Sequence, residues 1–227
     1  MSKKIFIDPG HSISDPGAVG YEVERDLNEK TAAFMNEYLL ATYVCETKVD
    51  PVTNKSLSAV ADSANAWGAD LLVSIHNNAG GGDGYEALVY SSSRVAMGKI
   101  FEKHVKAIGQ NSRGVKLRPE LSVLRRSNMP AVLNEGAFVD NKKDIDDWNE
   151  DHELKQLGIA YAKAAAEYLK LEKKAVASAP APAKGMYRVF NAAGKQVGAY
   201  REEDNAFNEV KKQLQACGAA KITLSDK

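Results

Sequence analysis

Cysteine is nearly absent. The two in the chain, Cys45 and Cys217, lie far apart and in what read as different domains, so neither a disulfide framework nor a Cys-based zinc ribbon can be built from them. No apolar run reaches the length needed to cross a bilayer, which excludes a membrane-spanning protein and leaves the membrane out of the expected partners. Net charge is lacking too: thirty basic residues balance thirty acidic ones. No global basic field therefore draws the protein to nucleic acid or to an anionic polymer, and any such contact has to be local. No secretory leader is expected from the first residues, because behind Lys3 and Lys4 the apolar stretch Ile5-Phe6-Ile7 runs straight into Asp8-Pro9-Gly10-His11. That stretch reads as a strand. The expectation is synthesis in the cytoplasm, with some other route to any site of action outside it.

What is present has ordinary globular usage, 44% hydrophobic and 26% charged, in a length that holds one full domain and a small appendix. Three short apolar runs carry the information. Lys3 to Ile7 stops at Asp8-Pro9-Gly10 and presents His11; Leu71 to Ile75 closes on His76 and a polar, Gly-rich loop; Pro130 to Leu133 ends on Asn134-Glu135-Gly136. Runs of this kind bounded by Pro and Gly read as buried strands, and residues at the carboxyl ends of such strands sit where open α/β sheets place their chemistry. A single histidine at a strand end is commonly structural. Three strands that each deliver a metal-ligand or acid/base residue point to a site.

Between them the order alternates. Leu27, Thr31, Phe34, Met35, Tyr38 and Leu39 have helical spacing behind the acidic start at Glu24; Tyr43 to Val49 alternates as a strand; Ser56 to Trp67 is a helix stopped by Gly68. Strand, helix, strand, helix, strand argues for βαβ units. The predicted fold is α/β, a mostly parallel twisted sheet flanked by helices on both faces. Tyr85 to Tyr90 is a further strand after the flexible glycines 80–84, Ser92 opens a long helix stopped at Gly109, and Asp151 to Leu171 is a final amphipathic helix. Asn111 to Met129 reads as a binding loop or rim. The Ala/Pro tract over 172–185 is a linker between a domain at 1–171 and a small α+β domain at 186–227, made of a hairpin, a helix and a last strand. Some forty residues is near the limit for independent folding, so pairing with another copy or with a ligand surface would support the tail.

His11 and His76 on neighbouring strand ends are a natural pair of zinc ligands, and a catalytic zinc site usually takes a third protein ligand and leaves one position to water. An acidic ligand close to His11 can come from Glu22 or Glu24. Glu135 is placed to move protons during attack of water on an amide, or else pairs with Arg125 or Arg126 as a structural ion pair. His104 and His152 read as surface residues.

Five stretches in order, Ile7-Asp8-Pro9-Gly10-His11, Asp15-Pro16-Gly17-Ala18, Glu24-Arg25-Asp26-Leu27-Asn28, Ala69 to Ala79 and Met129 to Glu135, resemble the motif set of the type-3 zinc N-acetylmuramoyl-L-alanine amidases, peptidoglycan hydrolases of bacteria and their phages. The resemblance covers residues 1 to about 171. It implies that His11, Glu24 and His76 bind Zn2+, that Glu24 rather than Glu22 is the acidic ligand, and that Glu135 is the catalytic acid/base. The implied reaction is hydrolysis, by zinc-activated water, of the amide between the lactyl group of N-acetylmuramic acid and L-alanine of the stem peptide. A zinc peptidase cutting within the stem peptide would use the same metal logic. The chain departs from the family in having Ser12-Ile13 where two glycines are usual, in Glu135-Gly136-Ala137-Phe138, and in lacking an arginine near Val60.

In the tail, Tyr187 to Phe190, Gln196 to Tyr200 and Asn205-Ala206 are similar to the small sporulation-related repeats appended to Bacillus-group lytic enzymes, which resemble wall-binding modules. The combination resembles a phage endolysin released through a membrane pore or a mother-cell autolysin freed at lysis, with peptidoglycan as its partner.

Overall fold

The computed structural model describes every residue except 1, 54, 55, 57, 176–185, 192, 201, 202, 218, 219, 226 and 227. Strand β1 (Lys3–Pro9) leads to helix α1 (Glu24–Thr42), then β2 (Cys45–Val49), α2 (Ala59–Trp67) and β3 (Leu71–Asn78). After β4 (Tyr85–Val89) come α3 (Val95–Lys106), β5 (Ser112–Leu117), the short α4 (Ser122–Arg125), β6 (Ala131–Phe138), the short α5 (Lys142–Asp146) and α6 (Asp151–Leu169). The six strands lie in the order β2-β1-β3-β6-β4-β5. All neighbours run parallel except β4 and β6, so the expected mostly parallel α/β sheet is what forms. Among the described residues no helix is long and apolar enough to cross a membrane.

The two faces are covered unequally. Helices α1, α3 and α6 bury one face, where Ile5, Ile7, Leu71, Val73, Ile75 and Val132 meet Leu27, Met35, Leu39, Phe101 and Tyr161. Buried residues of α1 recur as Leu27, Thr31, Met35 and Leu39, a single stripe with a period of one helical turn. On the other face Phe6, Leu72, Leu88, Ala131 and Leu133 pack under Ala64, Trp67, Leu121, Val123, Leu124 and Met129 from the region of α2 and α4. That cover ends part-way along the strands.

The expected strands form but run longer at their carboxyl ends: β3 continues to Asn78 and β6 to Phe138, so His76 and Glu135 lie inside strands and not beyond them. Helix α2 starts at Ala59 rather than Ser56, and Ser92–Arg94 form a 3-10 turn before α3 begins. The stretch expected as a loop, 111–129, contains β5 and α4. The glycine loop after His76 is tied down, since the Gly80 and Gly81 amides donate to Asp140 Oδ2 at 2.8 and 2.9 Å and the Gly84 amide to Asp144 Oδ2.

The chain divides into two compact units, Met1–Lys174 and Ala175–Lys227. Within the first, Val44 donates to the Glu172 carbonyl and Lys174 to that of Thr42, so the segment after α6 runs back along the end of α1. Of the linker expected over 172–185, positions 176–185 lie outside the described residues. The second unit comprises β7 (Met186–Asn191), β8 (Gln196–Tyr200), α7 (Glu203–Cys217) and β9 (Ala220–Ser225), with an antiparallel sheet in the order β8-β7-β9. Its hairpin turns at Gly194, φ +75°, with Asn191 Oδ1 accepting from the Ala193 and Lys195 amides.

Helices α1 and α6 touch at Gly158, where a Cβ would stand 2.8 Å from both the Met35 nitrogen and the Thr31 oxygen. These are backbone atoms and cannot swing aside. Gly158→Ala should therefore destabilise the protein by about 1–2 kcal/mol, overpacking outweighing the better helix propensity of alanine. The denaturation midpoint reads this, and an unchanged or raised midpoint would mean that the two helices separate without cost.

Candidate metal centre

His11 Nε2 and His76 Nδ1 each lie 2.9 Å from the same oxygen, Glu24 Oε1. The three side chains are the group among the described residues that could hold a metal ion, with one donor atom from each within 4.8 Å of the others. Each comes from a different element: His11 from the turn after β1, His76 from β3, Glu24 from the first residue of α1. Glu24 is almost fully buried, and its second oxygen accepts the Ala18 amide at 2.8 Å, while Oε1 also takes the Asn77 amide at 3.2 Å. Glu22 takes no part in this cluster.

Local backbone explains the Asp-Pro-Gly repeats. His11 has φ +76°, in the left-handed region, where histidine is less disfavoured than most side chains at a cost of roughly 1 kcal/mol. That twist turns its ring back across the end of β1. A Cβ on Gly10 would fall 2.3 Å from the His76 ring, and one on Gly17 2.5 Å from Glu24 Oε2 and from the His11 ring. Both glycines are thus required by close approach of the His11, Glu24 and His76 side chains to backbone, and Gly17 by its φ of +74° as well. Ser12, in place of a glycine, closes the intervening loop by accepting the Asp15 amide on its hydroxyl and donating its own amide to the Asp15 carbonyl.

Behind these three side chains a buried amide chain locks the strand ends together. Asn28 donates to the Gly10 carbonyl, Asn77 donates to Asn28 Oδ1, and the Ala137 amide donates to Asn77 Oδ1. It links β1, α1, β3 and β6. Such supporting hydrogen bonds fix ligand orientation. His11 Nδ1 has Asp15 Oδ2 at 3.4 Å on its outer side.

Glu135 pairs with His76 in the β3–β6 register, and Glu86 faces Glu135 across β4–β6. Glu135 Oε2 is buried and meets no hydrogen-bond partner among the described residues. The ion pair with Arg125 or Arg126 that the sequence leaves open does not form: Arg126 turns to Asp62 at 2.9 Å. His104 pairs with Glu167, and His152 is exposed beside Glu153.

The electrostatics follow from burial and pairing. Burial alone would raise the Glu24 carboxyl, but hydrogen bonds from His11 and His76 outweigh it and hold the group well below the usual carboxylate range. Burial opposes a charge on His76, yet the bond to Glu24 and the nearby charges of Glu135, Glu24 and Asp8 push it up to about 9. Glu135 goes the other way. Desolvation, with Glu24 and Glu86 adding repulsion, lifts it to about 7 against the pull of His76 and His11.

Sequence reasoning missed Glu86, Arg113 and Lys116. Glu86 is buried on β4 and its Oε1 accepts from Arg113 Nε and Lys116 Nζ of β5, 2.5 Å each. A lone acid inside the apolar run Tyr85 to Val89 is the signal that could have found it.

A family model described as N-acetylmuramoyl-L-alanine amidase matches residues 5–167. The chain is 33% identical over 213 residues to N-acetylmuramoyl-L-alanine amidase CwlM of Bacillus licheniformis, covering 89% of this chain and 78% of that protein. An endolysin of Bacillus phage SPP1 is 37% identical over 193 residues, 79% of this chain and 71% of that one. Among solved structures, N-acetylmuramoyl-L-alanine amidase from Clostridium difficile 630 superposes with a TM-score of 0.71 at 27% identity, over 74% of this chain and 97% of that one. The catalytic domain of CwlV from Bacillus (Paenibacillus) polymyxa var. colistinus gives 0.70 at 26%, over 75% and 99%.

Metal ligands must be unprotonated, and below about pH 9 the metal-free protein keeps a proton on His76. Uptake of a divalent cation at pH 7 should release at least one proton, and affinity should fall as the pH is lowered. Calorimetry in buffers of different ionisation enthalpy measures the release; none would show that His76 is not a ligand. His76→Ala should abolish retention at equimolar metal.

Proposed function

This chain belongs to the N-acetylmuramoyl-L-alanine amidase family, and on that premise we propose that it opens peptidoglycan at the amide between the lactyl group of N-acetylmuramic acid and L-alanine, with Zn2+ held by His11, Glu24 and His76 and with Glu135 moving the proton. The observation that carries the reading is the convergence of two imidazole nitrogens and one carboxylate oxygen beside a carboxylate with an unpartnered oxygen. Two histidines and one acid are a donor set that suits catalytic zinc and leaves a coordination position open. When bound, zinc supplies a Lewis acid for the amide carbonyl and acidifies a water molecule.

The remaining work falls to the chain's own side chains. Glu24 stays ionised under its two histidine bonds, so it offers charge to the metal and not a proton. Glu135, lifted to about 7, both accepts and donates near neutral pH. It takes the proton from the attacking water and returns it to the departing alanine nitrogen, so one group serves both halves of the reaction. Its free Oε2 is the atom proposed to carry that proton.

For the tail, the proposal is retention on the wall. The likeness to the Bacillus licheniformis amidase spans 89% of the chain, a share larger than the first unit alone, so it extends into Ala175–Lys227.

Glu135→Gln should retain zinc and lose at least 10²–10⁴-fold in turnover of purified sacculi, the usual worth of general acid–base catalysis. Loss of zinc would make Glu135 a ligand, near-normal turnover would make it structural, and mass spectrometry of the products separates freed lactyl glycans from peptides cut internally. A truncation after Lys174 should keep the zinc-loaded amidase and cut a soluble muropeptide at the full rate. Against intact walls it should work more slowly, because tethering raises local concentration at an insoluble substrate. Equal lysis by both forms would leave the tail without a role in retention.

A further inference from the structure

The β4–β5 pair is irregular between Tyr85 and Ala87. Tyr85 faces Ser112 and Ala87 faces Val115, so two residues, Arg113 and Gly114, stand opposite Glu86, and Gly114 takes φ +91°. In an even strand, residues 113 and 116 would point to opposite faces of the sheet. The bulge re-aims one of them. Both cationic groups consequently reach the same oxygen, Glu86 Oε1, on the face that carries His76 and Glu135.

Two cations on one carboxylate leave positive charge over. Glu86 is almost wholly buried, whereas the Arg113 and Lys116 side chains stay 43% and 39% exposed, and one bond to Glu86 leaves further N–H donors on each. The Arg113 guanidinium also lies over the Phe138 ring, 5.2 Å from its centroid, a second contact that holds it in place. We infer that Arg113 and Lys116, gathered by the bulge and anchored on Glu86, form a subsite for a carboxylate of the peptide that leaves from the scissile amide. This rests on the amidase reading of the site beside it.

Spacing sets which carboxylate. Neighbouring strands are about 4.8 Å apart, so groups held at Glu86 lie roughly one strand from Glu135. An extended residue spans roughly 3.3–3.6 Å. A peptide running from the reacting amide along the row His76, Glu135, Glu86 therefore brings the acidic group of its second residue to the two cations. A carboxamide at the same position would be held less well, because the charge-assisted bonds are lost.

The test uses the full-length, zinc-loaded protein and muramyl dipeptide whose side-chain carboxyl is capped as an amide, in two forms with the α-carboxylate of the second residue free or amidated. Calorimetric binding and kcat/KM are both measured. The free acid should bind and react roughly tenfold or more better, with the gain in KM. Arg113→Gln and Lys116→Gln should each shrink that preference, read as the ratio of acid to amide for the same variant so that a change in Glu135 reached through Glu86 cancels, while Arg113→Lys restores part of it. Each single variant leaves Glu86 one cation, so the fold is kept, and the denaturation midpoint checks this. Equal binding of acid and amide by the wild-type protein would overturn the subsite. Selective binding of the acid without cleavage of either form would support the subsite and remove the amidase reading instead.

Discussion

The first unit depends on one buried carboxylate. Glu24 begins α1, and its two oxygens collect a histidine from the end of β1, a histidine from β3, and the amides of Ala18 and Asn77. A carboxylate taken out of water is costly unless it is paired and hydrogen-bonded. Here every partner comes from a segment that the α/β topology has to place correctly first. The Asn28–Asn77 chain beneath it ties the same segments through neutral amides. Neutral amides hold the strand ends in register and leave the charges to the centre above.

Unequal covering of the sheet turns this anchor into an open site. The parallel strands β1, β3 and β6 bring their carboxyl ends to one edge, and α2 and α4 shield only the portion carrying Phe6, Leu72, Leu88 and Leu133. Residues two further along the same face of these strands are Asp8, Ser74 and Glu135, with His76 beside Glu135 in register. Because side chains alternate faces, the polar row and the apolar floor are continuous stretches of one surface. Strand β4 enters antiparallel, which lets a mid-strand acid, Glu86, join that row from the opposite direction.

Much of this is legible in the sequence, and what is not has a physical cause. Short apolar runs ending in Asp-Pro-Gly-His or His-Asn-Asn announce buried strands, and the helical stripe of α1 is plain from Leu27 to Leu39. The extent of β3 is hidden because its last residues, His76 to Asn78, are polar, and that of β6 because Asn134-Glu135-Gly136 interrupts its apolar run, which reads as loop although the residues belong to the sheet. Strand β5 is hidden by its bulge: an extra residue breaks the alternation of Ser112 to Leu117 that would have marked a strand. Gly10 and Gly17 look like turn residues in the sequence. Only the fold shows that rings of the site press against them. The small helix α5 escapes for want of length, and with it Asp144, which accepts from Gly84, Phe138 and Gln110 and so braces the glycine loop.

Two carboxylates directly opposite each other on neighbouring strands, Glu86 and Glu135, would repel if both were ionised and alike in surroundings. Their surroundings differ. Burial would raise Glu86, but Lys116 and Arg113 outweigh it and keep that group ionised below its ordinary range. Glu135 has no cation of that kind bonded to it, and burial together with the fixed charges of Glu24 and Glu86 lifts it to about 7. The environments thus drive the pair apart, one member held in its charged form and the other ready to exchange a proton. The negative charge of Glu86 adds to the repulsion on Glu135, and the cations on β5 keep Glu86 the charged member of the pair. The irregular edge strand, the part of the sheet least visible in the sequence, therefore conditions the group proposed to move the proton two strands away.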